Sequence, residues 1–222
     1  MKIFSNPATI CILVLVFLLA GLFGGPENPF DIAMIHRLTD IRHTQPQFTS
    51  LVVIITQLGS VYATLGLGLL ASAWLAVRNK ARPAILLAAT VIIERLTVDG
   101  LKLVIGRPRP DFDLHPVMTH SSSFPSGHSA NSMAVFVAVA MIAAPPAWRR
   151  PALAVAISLG LVIGATRPFL GVHWPSDVVG GWALGLLVVA LALAAGRRSG
   201  TIEAQHDIVG RHRSAVGEDE VA

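Results

Sequence analysis

PAILLAATVIIERLTVDGLKLVI, residues Pro83 to Ile105, is long and apolar enough to cross a bilayer, yet Glu94, Arg95, Asp99 and Lys102 lie inside it. A spanning helix needs roughly 20 mostly apolar residues, because the hydrocarbon layer is ~30 Å thick and each helical residue rises ~1.5 Å. Ionisable groups at that depth are costly unless they are paired or face a polar cavity, so they mark where a function sits. Arg95, Asp99 and Lys102 fall at i, i+4 and i+7, on one helical face that must look into a bundle rather than at lipid. A structural ion pair explains Arg95 and Asp99 equally well. It does not explain Lys102, which is nearest the outer end.

The rest of the chain has the same character. Of 222 residues, 53% are hydrophobic and only 14% charged, and the mean hydropathy of +0.64 lies outside the range of ordinary soluble domains. Further apolar stretches run over Ala8–Gly24, Leu51–Val77, Ala130–Ala144, Ala152–Ala165 and Asp177–Ala195. Two of them, at 130–144 and 152–165, are short and are expected to extend into their flanking loops. The fold class this predicts is all-α, a polytopic membrane helix bundle with about six transmembrane helices. The membrane domain covers residues 1–198, with its chemistry between residues 95 and 180. A polar, charge-mixed tail follows at 199–222 and reads as a disordered cytoplasmic segment.

A net charge of +4 suits nucleic acid in principle, but the basic residues form no long patch, and no nucleic-acid partner is expected. They report orientation instead. Lys2, Arg78–Arg82, Arg149–Arg150 and Arg197–Arg198 carry positive charge without acidic neighbours, which places them in the cytoplasm by the positive-inside rule. The alternate intervals 26–50, 106–124 and 167–175 mix signs and are expected outside, with both termini inside. Arg107, Arg109 and Arg167 run against that trend, which suggests a task for them. Localisation in a bacterial-type inner membrane follows.

The first apolar run also resembles a secretory signal, but no A-x-A-like site closes it, and an uncleaved helix is the preferred expectation. Cys11 is the only cysteine, so neither a disulfide framework nor a thiolate metal site is expected. Residues Phe30–Ile41 form an amphipathic stretch expected to lie on the outer membrane surface with Ile32, Ile35 and Leu38 turned to lipid. The pairs Gly160/Gly164 and Gly181/Gly185 fit close helix packing.

Three outer segments carry the chemistry. After Lys102, the run Gly106-Arg107-Pro108-Arg109-Pro110 is held extended by its prolines. An ammonium and a guanidinium brought to one point suit a phosphate, one as a point charge and the other as a bidentate donor. Next, Pro125-Ser126-Gly127-His128 precedes an apolar run, where exposed helix-start amides attract anions and a histidine suits proton transfer. A plain Ser/Gly helix cap is the alternative reading. Last, Thr166-Arg167 is followed by His173 and Asp177. A carboxylate that accepts the Nδ1 proton of an imidazole leaves the Nε2 lone pair outward, as a nucleophile requires. Asp177 as a simple helix N-cap is compatible with the same spacing.

These segments resemble the signature of the type-2 phosphatidic-acid phosphatase superfamily, which includes vanadium haloperoxidases and glucose-6-phosphatase-like enzymes. Lys102, Arg109 and Pro110 match its first motif, Pro125 to His128 its second, and Arg167, His173 and Asp177 its third. Thr166 stands where the family usually has Ser. The resemblance implies a metal-independent lipid phosphatase without a cofactor. His173 would attack phosphorus and form a phosphohistidine, Asp177 would orient it, and His128 would protonate the leaving oxygen. Lys102, Arg109, Ser126, the Gly127 amide and Arg167 would hold the phosphate oxygens. Phosphatidic acid, phosphatidylglycerophosphate and undecaprenyl diphosphate all fit as substrates. Phosphotransfer to another acceptor, a lipid-binding transporter and a haloperoxidase are the competing readings. The Asp111/Asp113 pair reads as a solvated loop in preference to a cation site.

Overall fold

The computed structural model describes residue 4 and residues 6–117, 119, 121–198 and 201; Lys2 and all of the predicted tail except Thr201 lie outside them. Among the described residues every regular element is helical. In chain order the α-helices are α1 (Pro7–Phe23), α2 (Pro29–Thr44), α3 (Pro46–Thr56), α4 (Val61–Val77), α5 (Ala81–Ile105), α6 (Gly127–Ala138), α7 (Arg149–Phe169) and α8 (Pro175–Arg198). The all-α bundle is thus as the sequence predicts.

α6 is the axis of the bundle, with Met133, Val135, Val137 and Ala138 buried among α4, α5, α7 and α8. In lipid there is little hydrophobic gain in bringing helices together, so close van der Waals contact has to hold them. The glycines of α8 permit it. A Cβ at Gly181 would lie 2.6 Å from the Ser126 carbonyl oxygen, and one at Gly185 2.6 Å from that of Ala130. The Trp182 indole pins α8 to α7 by donating to Gly160 O at 2.9 Å. The predicted small-residue pairs therefore do serve close packing.

The stretch expected as one span over Leu51–Val77 is broken. α3 ends in a 3₁₀ turn at Gln57–Gly59, Ser60 caps α4 by accepting from Ala63 N, and the two helices meet at 42°. Gly59 sits against the backbone of His128 and against Ile163, where a Cβ would come within 2.4 Å of a methyl group. The break carries Thr56 into the interior. By contrast, the two short predicted spans lengthen as expected: α6 begins at Gly127 and continues through a π-helical turn to Ala143, and α7 runs from Arg149 to Phe169.

The expected lipid-facing helix at 30–41 is corrected. α2 does form, capped by Asn28 accepting from Asp31 N at 3.0 Å, but its apolar stripe faces protein. Ile35 is fully buried, and Leu38 packs on the Val52, Phe169, Leu170 and Val172 cluster. The reason is polar: Asp31 and Arg42, on the same face, anchor both ends of the helix to the α7–α8 region. Asp31 accepts from Ser176 N at 3.1 Å, and Arg42 donates to Phe169 O at 3.2 Å.

By length and composition two helical stretches, Pro146–Phe169 and Pro175–Arg198, can cross a membrane unaided, and the bent pair Pro46–Val77 makes a third. α1 and α6 are shorter, and α5 carries the ionisable residues that opened the sequence reading.

Candidate active site

The C-terminal ends of α5 and α7 and the N-terminal ends of α6 and α8 converge. Ser126 N donates to Asp177 O at 3.0 Å, joining α6 to α8, and Ser123 N donates to Arg107 O at 2.8 Å, tying the two ends of the α5–α6 loop. Lys102, in the last turn of α5, donates from Nζ to Ser122 O at 2.6 Å. Gly106 then ends α5 in the left-handed region, φ 62°, which a side-chain-bearing residue adopts only with strain. The chain leaves extended, and its two arginines point apart.

Arg109 turns into a cavity of about 210 Å³. Its Nη1 donates to Val172 O at 2.5 Å and lies 3.1 Å from His173 Nε2, while its Nε donates to Ser121 O at 2.8 Å. Lys102, Gly127, His128, Arg167 and His173 line the same cavity. Arg167 is buried in the last turn of α7. Its Nη1 donates to Thr56 Oγ1 at 2.8 Å, and its Nε is buried without a hydrogen-bond partner among the described residues. An unpartnered guanidinium donor beside two more cations is a donor set suited to an anion.

His173 stands on the short loop between α7 and α8. Its Nδ1 lies 3.4 Å from Asp177 Oδ2 and 3.3 Å from Ser123 Oγ. Asp177 is wholly buried and accepts from Ser123 Oγ, from Trp174 N at 2.9 Å and from Arg107 Nη1 at 2.9 Å. With the carboxylate behind Nδ1, the ring's remaining lone pair is on Nε2, facing the cavity. Burial, then the charges of Arg109, Lys102 and Arg167, hold the His173 pKa well below its usual value. Its imidazole is therefore neutral, the form a nucleophile needs.

Two predicted site residues stand behind the cavity wall. Asp177 backs His173 as expected. Ser126, by contrast, is fully buried and its oxygen accepts from Ser129 Oγ at 3.0 Å, so the structure does not bring it to the cavity surface.

Sequence reasoning misses Ser123, Thr56 and Asn131, and leaves Arg107 without a role. Arg107 bridges Asp177, Ser176 Oγ (3.3 Å) and the carbonyls of Ala20 (3.2 Å) and Gly21 (2.5 Å), with its guanidinium over Phe124. Its signal was a cation on the positive-poor side; the hydroxyls and the amide have no comparable signal. Asp113 is not simply solvated: Arg42 Nη2 and His43 Nε2 each lie 2.6 Å from Oδ2, and those two hydrogen bonds push its pKa down to about 2. Asp111 is exposed. Among the described residues no three His, Cys, Asp or Glu side chains gather as a metal site would require.

The family model of the PAP2 superfamily matches residues 83–200. That span holds every one of these cavity cations and both histidines. The chain belongs to the PAP2 superfamily. It is 35% identical to phosphatidylglycerophosphatase B of Bacillus subtilis over 153 residues, which is 66% of this chain and 74% of that one. It is 42% identical over 105 residues to lipid A 1-phosphatase of Rhizobium johnstonii, 43% of this chain and 41% of that one. The chain thus spans less than half of the latter's length. A crystal structure of a transmembrane PAP2-type phosphatidylglycerolphosphate phosphatase from Bacillus subtilis superposes with a TM-score of 0.78 at 29% identity, over 86% of this chain and 96% of that one. This PAP2 chain therefore shares family and fold with membrane phosphatases whose names specify lipid phosphates.

Proposed function

We propose that this PAP2 protein is an integral-membrane lipid phosphatase that cleaves a phosphate monoester or diphosphate of a lipid through a phosphohistidine. The observation that carries this is the gathering of Lys102, Arg109 and Arg167 in one cavity with Nε2 of a neutral, carboxylate-backed His173. Nε2 attacks phosphorus, the bond from phosphorus to the lipid oxygen breaks, and His128 delivers a proton to that oxygen. Water then attacks the phosphohistidine, His128 takes a proton from it, and inorganic phosphate leaves with His173 restored. The three cations stabilise the oxygens on which charge shifts during both transfers. They do so without a metal ion.

A lipid substrate is supported by an apolar groove of about 1020 Å³ between α4, α6 and α7, larger than the polar cavity but holding no chemistry itself. Leu58 and Ala63 line the groove's outer end, and Val61 between them lines the polar cavity. A headgroup in one leaves its tail beside the other. We place the site at the outer membrane face, with six spans and both termini cytoplasmic, because the basic segments Arg78–Arg82 and Arg149–Arg150 lie at the opposite ends of α5 and α7 from the cavity.

The test is phosphate release from phosphatidic acid, phosphatidylglycerophosphate and undecaprenyl diphosphate at equal surface concentration, by protein purified in detergent with EDTA present. His173→Ala is expected to abolish release from all three while keeping the wild-type melting profile. Undiminished turnover by that variant would remove the nucleophile from the scheme, and added alcohol acceptors that divert phosphate would turn hydrolase into phosphotransferase.

A further inference from the structure

The histidine scheme uses three cations, but the cavity has four. Arg95, two turns below Lys102 on α5, lines it as well, and so does Asn131, one turn into α6 from His128. Arg95 is fixed rather than free. Its Nε donates to Asp99 Oδ2 at 2.8 Å and its Nη2 donates to Asp99 Oδ1, so the ion pair aligns the guanidinium plane. The remaining nitrogen, Nη1, is directed at Gly127: it would lie 3.9 Å from a Cβ there, and Lys102 Cε would lie 3.8 Å from the same point. The ends of two cationic side chains thus lie by one glycine at the start of α6, next to His128.

Among the described residues no carboxylate lines this cavity. Asp99 is half exposed on the far side of Arg95, and Glu94 is buried beneath the floor. There Asn131 ties it to α6, the amide donating to Gly127 O at 3.0 Å and to Glu94 Oε1 at 3.1 Å in the orientation that satisfies both. An ion pair whose only role was mutual neutralisation would not need to aim a guanidinium nitrogen into an anion cavity.

Position decides what Arg95 can serve. His173, the attacking group, comes from the α7–α8 loop, and His128, which protonates the departing oxygen, stands beside Gly127. A cation that reaches Gly127 from the membrane side lies on the leaving-group side of the phosphorus under attack. For a monoester that side holds an uncharged glycerol or sugar carbon. For a diphosphate it holds a second, anionic phosphate whose charge grows as the bridging bond breaks, and a guanidinium there stabilises the transition state more than the ground state.

We infer that Arg95, held by Asp99 and aimed past Gly127, forms a subsite for the second phosphate of a lipid diphosphate. The inference rests on the phosphatase reading and narrows its substrate class: the terminal phosphate is transferred at His173, and the phosphate attached to the lipid is held by Arg95 as it leaves as a lipid monophosphate.

The full-length protein in mixed micelles is assayed on farnesyl diphosphate and phosphatidic acid, as wild type, Arg95→Gln, Arg95→Lys and the double variant Arg95→Gln/Asp99→Asn, which leaves no unpaired carboxylate if Arg95→Gln alone folds poorly. The ratio of kcat/KM for diphosphate to that for monophosphate is expected to fall on the order of tenfold in both Gln variants and to recover in Arg95→Lys. A ratio that stays at the wild-type value overturns the subsite, whatever happens to either rate alone. Calorimetric titration with inorganic pyrophosphate and inorganic phosphate separates this from the parent reading, because it needs no turnover. Wild type is expected to bind pyrophosphate the more tightly, with the preference lost in Arg95→Gln. Equal preference in the two proteins overturns the subsite even if the enzyme is active. Pyrophosphate preference in a protein that releases phosphate from neither lipid keeps the subsite and overturns the phosphatase.

Discussion

His173 and His128 face one cavity with unequal support. Side chains from α8 and the α5–α6 loop surround the His173 ring: Asp177 and Ser123 stand at Nδ1, Arg109 at Nε2, and the whole residue is buried. At the start of α6, the His128 ring makes no hydrogen bond among the described residues; only its backbone oxygen is engaged, by Ser132 Oγ at 2.7 Å. In the proposed scheme the attacking nitrogen must meet phosphorus in line, which a clamped ring suits. A proton donor has to follow an oxygen that moves away, so latitude suits it.

The largest expected effect breaks that contrast directly. His173→Ala should lose on the order of 10⁴-fold or more in turnover on a lipid phosphate and on an activated aryl phosphate alike, because no leaving group replaces a nucleophile. His128→Ala should lose about 10²–10⁴-fold on the lipid but keep a fast first release of nitrophenolate from nitrophenyl phosphate, whose anion departs without a proton, with steady turnover then limited by hydrolysis of the phosphohistidine. An equally slow first release from both substrates would mean that His128 does more in the first transfer than protonate. The pH profile sharpens the same point. With the His173 pKa held well below about 6.5 by burial and by Arg109, Lys102 and Arg167, the acid limb of aryl-phosphate turnover is expected well under pH 6.5.

How much of this is legible in the sequence follows from the solvent. Lys102, Arg109, Arg167 and the two histidines stand out because lipid excludes such residues from the ends and interiors of apolar runs unless they work together. Ser123 and Thr56 do not stand out, since single hydroxyls are common in apolar helices and loops. Their roles arise only when the Gly59 break turns Thr56 toward Arg167 and the α5–α6 loop lays Ser123 on Asp177. The seating of α2 escapes for a related reason. Its stripe of Ile32, Ile35 and Leu38 looks the same against lipid as against protein, and only the partners of Asp31 and Arg42, distant in sequence, decide between the two.

A smaller effect tests what stands behind the clamp. Arg107 joins the Asp177 carboxylate to the C-terminal turn of α1 and, through Ser176, to Asp31. Arg107→Met leaves Nε2, His128 and the four cavity cations in place but unmoors Asp177. Turnover is expected to drop about 10- to 100-fold with KM nearly unchanged, since a shift of ~1 Å in a reacting group costs about that much. Thermal unfolding should fall too, because removing one partner of a buried pair leaves the other uncompensated, typically at about 3–5 kcal/mol. A variant that melts early yet keeps its wild-type kcat would make Arg107 purely structural.

The smallest effect lies farthest from the chemistry, where Asp113 clips the α5–α6 loop to Arg42 and His43 at the end of α2. Those hydrogen bonds lower the Asp113 pKa from about 3.8 to about 2, so the folded state holds its proton less tightly than the unfolded chain. The clip's contribution is therefore complete above the unfolded value near 4 and disappears as pH falls through about 2. Asp113→Asn never has it. The difference in melting temperature between wild type and Asp113→Asn should be modest, level from pH 7 down to about 5, and shrink towards zero near pH 2. A difference that instead grew on acidification would mean that the ionised carboxylate is not what holds the clip. Since this loop also carries Arg109 and Ser121, the same variant should raise KM for the lipid more than it lowers kcat, in contrast to Arg107→Met. One anchor would then set where the phosphate is received and the other how the nucleophile is aimed.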